Sequence, residues 1–283
     1  MSVPESVAMP PCARRTGFAL PAGPLAALEG RPDGPAAATA VLVPGFTGSK
    51  EDFLPLLEPL AAAGVRAVAL DLRGQYESPG LADPAGYGIA GFGDDLRAVL
   101  GLVADGGPLH LLGHSFGGHA VREALLAGGV APILSSVTLL CSGPTAVTGP
   151  AGARTEMFLT ASESLTLQQI HEFEPVDNHP DPQVKAFLLR RWLDNDVASL
   201  RVMARHLLEL EDRTDALRAL LAETGLPCLV ATGTDEDVWP AALQRATAER
   251  LGARFAEIPG AGHSPNTQQP EATAKVLLDF WLG

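Results

Sequence analysis

Short apolar runs separated by amphipathic stretches organise most of this chain. Thr39–Val43, Ala67–Leu70, Leu109–Leu112, Val137–Cys141, Cys228–Thr232 and Phe255–Ile258 are mainly continuous hydrophobic segments, not alternating ones. A strand covered by helices on both faces has this pattern, because neither side of it meets water. Between these runs, apolar positions recurring every three or four residues predict helices over Glu51–Ala63, Gly93–Val103, Gly118–Leu126, Ala241–Gly252 and Pro270–Trp281. Strand–helix alternation with right-handed crossovers gives a mostly parallel, doubly wound α/β sheet, with ligands at the carboxyl ends of the strands. Two short strands are expected around the Pro21-Ala22-Gly23-Pro24 turn within Arg15–Glu29, and residues 1–14, with several prolines, read as a poorly ordered start.

The alternation stops between Cys141 and Pro227. Helices are predicted there over Glu156–Glu163, Thr166–Phe173, Pro182–Asn195 and Val197–Glu211, with a further turn or two toward Glu223. The stripes Phe158/Leu159/Leu165 and Phe187/Leu188/Trp192 either pack on the rest of the chain or line a pocket. Lys185, Arg190, Arg191, Arg201 and Arg205 read as a solvated helix face paired with nearby acids.

The chemistry is concentrated in three places. In Leu109–Gly118 an apolar run leads into Gly113-His114-Ser115-Phe116-Gly117, and a helical pattern follows at once. G-x-S-x-G between a strand and a helix is the form of a nucleophile elbow: the turn is sharp and strained, small neighbours avoid collision, and the helix aims free N–H groups at what the serine attacks. Near the C-terminus, a strand ends in Pro259-Gly260-Ala261-Gly262-His263-Ser264, which presents one histidine on a loop. A neutral imidazole there can take the serine proton and return it to a leaving group. Between the two lies Gly233-Thr234-Asp235-Glu236-Asp237-Val238-Trp239-Pro240, a strand end running into an acidic turn, whose carboxylate can hold the histidine tautomer.

The order Ser, acid, His resembles the α/β-hydrolase superfamily, from about residue 38 to the end. Two further segments carry the resemblance. Val43-Pro44-Gly45-Phe46-Thr47-Gly48 looks like the loop after the third strand that contributes to the oxyanion hole, with Pro44 where a histidine often stands. The resemblance makes the backbone N–H groups of Phe46 and Phe116 the oxyanion donors, each typically worth about 10²–10³ in rate. Asp71-Leu72-Arg73-Gly74-Gln75-Tyr76-Glu77-Ser78 looks like the turn after the fourth strand, with Tyr76 in place of a glycine; Asp71 and Arg73 are read as structural. Matching the family's acid motif without gaps between Gly233 and Pro240 selects Glu236, while a turn one residue different in length would present Asp237 or Asp235. His114 is expected to support the elbow, since the family carries its base on the last loop. The resemblance also implies an α/β-hydrolase fold with a helical cap inserted between strands 6 and 7: core residues 1–142 and 216–283, cap residues 143–215. Serine at the elbow argues against the epoxide hydrolases and haloalkane dehalogenases of this superfamily, which use a carboxylate nucleophile.

Composition narrows the partners. The chain has 283 residues, 46% hydrophobic and 19% charged, enough for a large core. A formal net charge of −13 argues against nucleic acid or an anionic membrane as a partner. Cys12, Cys141 and Cys228 are few and far apart, which suits buried thiols in a reducing, cytoplasmic setting. No metal ion or organic cofactor is required, and the other histidines lack metal-ligand spacing. The expected activity is a serine hydrolase acting on an ester, lactone or thioester of a small to medium hydrophobic molecule. A thioesterase meeting an acyl carrier protein, an acyltransferase or lyase, and a ligand-binding module with a slow triad are the alternatives, and a homodimer is left open.

Overall fold

The computed structural model describes residues 2–283. In chain order its elements are β1 (Ala13–Leu20), β2 (Gly23–Gly30), β3 (Ala38–Val43), α1 (Leu54–Ala62), β4 (Val65–Leu70), α2 (Ile89–Val103), β5 (Leu109–His114), α3 (Phe116–Leu126) and β6 (Ser136–Leu140). There follow α4 (Gly149–Ser162), α5 (Leu167–Phe173), α6 (Pro182–Leu193), α7 (Val197–Glu209), α8 (Thr214–Thr224), β7 (Cys228–Gly233), α9 (Ala241–Leu251), β8 (Arg254–Ile258), α10 (Pro265–Gln268) and α11 (Pro270–Trp281).

The strands form one eight-stranded sheet in the order β1-β2-β4-β3-β5-β6-β7-β8. β1 and β2 make an antiparallel hairpin, β2 lies antiparallel to β4, and the remaining pairs are parallel. Successive side chains on one strand face opposite sides. Val41 and Leu111 accordingly join an apolar cluster with α2 and α3, while their neighbours Leu42 and Leu112 join a second cluster with α1 and α11. Helices therefore cover both faces, which is why the strands read as continuous apolar runs.

The pairing Val43↔Gly113, His114↔Leu140 and Gly233↔Ile258 aligns the carboxyl ends of β3, β5, β6, β7 and β8. The loops leaving those strands consequently share one edge of the sheet. Five helices, α4–α8, stand between β6 and β7. α4 packs against α5 and α7, whereas α8 packs on α3 and α9 beside the sheet.

Several boundaries differ from the sequence expectation. α2 begins at Ile89 rather than Gly93, and a Cβ on Gly93 would stand 3.0 Å from the Ala124 amide, so glycine permits the close approach of α2 to α3. α4 begins at Gly149 rather than Glu156; its Pro150 is tolerated because the first turn of a helix needs no internal N–H donor. α8 runs for 11 residues and ends on Gly225 in the left-handed region at φ 66°. Residues 2–12 lack regular structure, yet Ser2 and Pro4 are buried, and the Ser2 hydroxyl hydrogen-bonds Ser264 Oγ at 2.9 Å.

Arg191 departs most from the sequence reading. It is not on a solvated face but fully enclosed, with Nη1 donating to Asp52 Oδ1 at 2.6 Å and Nη2 to the Ser2 carbonyl at 2.8 Å. The charge periodicity of α6 cannot show that a buried acid from the loop after β3 meets this guanidinium. Lys185 and Arg190 are themselves exposed; Lys185 reaches the buried Asp177 and Arg190 the exposed Asp194.

Candidate active site

Ser115 stands between β5 and α3 with φ 53° and ψ −121°, a conformation that costs a side-chain-bearing residue about 1–3 kcal/mol. The surrounding glycines make it attainable. A Cβ on Gly113 would lie 2.5 Å from the Gly118 amide, and one on Gly117 would lie 2.4 Å from the Val43 carbonyl oxygen. The Ser115 N–H is held by the Leu140 carbonyl at 2.9 Å, which ties the elbow to β6.

His263 Nε2 lies 2.9 Å from Ser115 Oγ, and its Nδ1 lies 2.8 and 3.0 Å from the two carboxylate oxygens of Glu236. Of the three acids in the turn after β7, the structure brings Glu236 to the histidine. Asp235 and Asp237 are exposed, and the backbone N–H of Asp235 is committed to the Ala261 carbonyl. Two loops are laced together here: Thr234 N–H donates to Ile258, Gly260 N–H donates to Thr234 Oγ1, and Gln268 Oε1 accepts from the Gly262 N–H at 2.8 Å. That lacing sets the depth of the turn and so selects the middle carboxylate.

Burial opposes ionisation of Glu236, but hydrogen bonds from His263 and from the Val238 N–H at 2.8 Å hold its carboxyl below the usual carboxylate range. The Cys141 thiol lies within 4.8 Å of it and donates to the Gly262 carbonyl at 3.8 Å. Cys141 sits just past β6 at φ 47°, and burial, with the neighbouring carboxylate, pushes its thiol well up. His114 is fully enclosed; burial, reinforced by His263, pushes its imidazole down to about 3, so it is neutral. Its Nε2–H donates to the His263 carbonyl at 2.7 Å and so fixes the loop that carries His263.

A Cβ on Gly45 would lie 2.9 Å from Ser115 Cβ, so the loop after β3 passes beside Ser115. Among the described residues, the N–H groups of Phe46 and Phe116 donate no hydrogen bond within the protein. The two are thus unspent donors on segments flanking Ser115. A cavity of about 190 Å³ opens over Ser115 and His263, bordered by Phe46, Thr155, Leu207 and Trp239. Next to it, sharing Phe46 and Thr47, is an apolar groove of about 610 Å³ between α4, α5 and α6. Phe158, Leu165 and Trp192 line that groove, whereas Leu188 is core and Phe187 packs edge-on against Tyr76 at 5.7 Å.

A sequence model of the alpha/beta hydrolase family matches residues 40–276. The chain belongs to that family. Solved α/β-hydrolases superpose over nearly all of it. The enol-lactonase from Burkholderia xenovorans has a TM-score of 0.75 at 18% identity, covering 95% of this chain and 100% of that one. A thermophilic esterase from Thermogutta terrifontis has a TM-score of 0.70 at 22% identity, covering 95% and 98%. At these identities the likeness is one of fold. A curated relative named "Probable oxidoreductase EphD" in Mycobacterium tuberculosis is 39% identical over 116 residues, 41% of this chain. The match spans only 19% of that relative's length.

Sequence reasoning did not single out Cys141 at this α/β-hydrolase's site, because nothing in an apolar strand end marks a thiol that lies beside a carboxylate at the end of the next strand. Gln268 likewise carries no motif signal. Among the described residues, Cys141, Glu236 and His263 are the one group of three or more histidine, cysteine or acidic residues whose donor atoms lie within 4.8 Å of one another. Glu236 and His263 are already bonded to each other, and a thiol raised by burial stays protonated, whereas a metal would need the thiolate. No helix among the described residues is long and apolar enough to cross a membrane.

Proposed function

We propose that this α/β-hydrolase cleaves a carboxylic ester or lactone of a small to medium hydrophobic substrate through an acyl-enzyme on Ser115. The observation that carries the reading is the continuous line Ser115 Oγ, His263 Nε2, His263 Nδ1, Glu236, with separations of 2.9 and 2.8 Å, opening into a cavity. His263 removes the hydroxyl proton as Oγ attacks the carbonyl carbon. The tetrahedral oxyanion is met by the Phe46 and Phe116 N–H groups, and ionised Glu236 stabilises the imidazolium. His263 then protonates the departing alkoxide and the C–O bond breaks. Water, deprotonated by the same imidazole, attacks the acyl-enzyme and releases the acid.

The apolar groove beside Phe46 supports a hydrophobic arm on the substrate, its volume lying within the range of about 300–1,000 Å³ typical of small-molecule sites. In this reading residues 143–215 act as a helical cap that selects the substrate. The test is labelling by a fluorophosphonate, followed by intact-mass measurement and turnover of p-nitrophenyl esters of increasing chain length. One adduct, absent in Ser115→Ala, together with ester turnover supports the reading; turnover retained by Ser115→Ala removes it.

A further inference from the structure

Arg154 stands on α4 at the wall of the cavity that contains Ser115 and His263. Its helical neighbours at three and four residues are Pro150, Ala151, Met157 and Phe158, so its own helix offers no acid to pair with it. Among the described residues its guanidinium makes no hydrogen bond and joins no ion pair, and its side chain is exposed. The acid that lines this cavity, Asp52, is already bound by buried Arg191, and Glu236 behind it is bound by His263.

Arg154 is therefore the unneutralised charge beside the nucleophile, in a chain whose formal net charge is −13. The overall field repels a small anion, and one unpaired cation at the cavity wall reverses that locally. A guanidinium offers a planar fork of donors that matches a carboxylate in two parallel hydrogen bonds. A single such cation matches one singly charged group better than a phosphate dianion, whose oxygens call for several donors. The apolar groove shares α4 through Met157, Phe158 and Ala161, so one helix presents both a cation and a hydrophobic surface.

We propose that Arg154 binds a carboxylate on the substrate, remote from the scissile bond, so that the substrate is a half-ester of a dicarboxylic acid or a lactone bearing an acid. This rests on the ester or lactone reading of the site. Arg154 acts in binding and specificity; it takes no part in proton transfer.

The experiment compares kcat/KM for monomethyl glutarate with methyl pentanoate, and for monomethyl adipate with methyl hexanoate, by titrating the acid released. Each pair matches in acyl carbon count and differs in the terminal carboxylate. Hydrogen bonds to charged groups predict that Arg154→Gln lowers the charged-to-neutral ratio about 10–100-fold, mainly through KM, with Arg154→Glu lower still. Added salt reduces the wild-type ratio. Equal ratios in wild type and Arg154→Gln, with both esters turned over, overturn the carboxylate site and leave the hydrolase reading standing. Calorimetric titration of Ser115→Ala with monomethyl glutarate separates the reverse case. Binding that disappears in Ser115→Ala/Arg154→Gln upholds the site even where no ester is hydrolysed, and binding that ignores Arg154 overturns it.

Discussion

Glu236→Gln is the sharpest test of the triad, because it changes charge with almost no change of shape at a side chain that is 0% exposed. Oε1 accepts from both His263 Nδ1 and the Val238 N–H, each at 2.8 Å. The glutamine oxygen keeps that position, which places the amide NH₂ where Oε2 now stands, 3.0 Å from Nδ1. Two donors then face each other, and the negative charge beside the imidazolium is gone. Two unit charges about 4 Å apart at an effective dielectric of about 20 interact by about 4 kcal/mol. At 1.36 kcal/mol per decade this predicts a loss of about 10³ in kcat, below the roughly 10⁴ that mutation of an orienting acid can cost. The assay is p-nitrophenyl butyrate turnover, with thermal melting to show that the fold persists. Asp237→Asn, altering an exposed carboxylate one residue away, is expected to change kcat less than threefold. A loss under tenfold in Glu236→Gln, or an equal loss in Asp237→Asn, refutes the assignment.

Three further outcomes follow from the geometry. Gly117→Ala drives a Cβ to 2.4 Å from the Val43 carbonyl oxygen, so fluorophosphonate labelling of Ser115 should collapse and the melting temperature should fall; wild-type labelling would show that the elbow tolerates the methyl group. Lys50→Met leaves buried Asp71 without the ammonium now 2.7 Å from it, an uncompensated charge that should cost about 3–5 kcal/mol in urea unfolding; a loss below 1 kcal/mol would count against this pair as a structural anchor. Burial lowers His110 to about 4, His114 to about 3 and His206 to about 4. The unfolded chain therefore takes up these protons first, near the ordinary imidazole value of about 6.5. The stabilising contribution is whole above that pH and is lost as pH falls through the folded-state values. Melting temperature should drop steeply between about pH 6 and 4; a flat profile over that interval would contradict it.

Features legible in the sequence were those whose physics is local. β5 is a continuous apolar run because both its faces are covered, and the glycines after it are required by contacts a Cβ would make within a few residues or with the neighbouring strand. The family resemblance located Ser115 and His263 for the same reason: each stands at a strand end whose motif is contiguous. Glu236 stayed unresolved among three acids because the choice depends on lacing between the turn after β7 and the loop after β8, which are separated by more than twenty residues. Arg191 was misread for a related reason. Its partner Asp52 is 139 residues away and Ser2 is 189 away, so a helix-face charge pattern could not reveal the pairing. His114 shows the same division within one residue: its position in the elbow is a sequence fact, but its hydrogen bond to the His263 carbonyl, 149 residues on, is a tertiary one. The turn carrying Ser115 is thus a local construction, and His263 is held by long-range contacts. Changes in the N-terminal segment, whose Ser2 hydroxyl bonds Ser264 next to His263, can therefore alter how His263 is oriented while leaving the elbow intact.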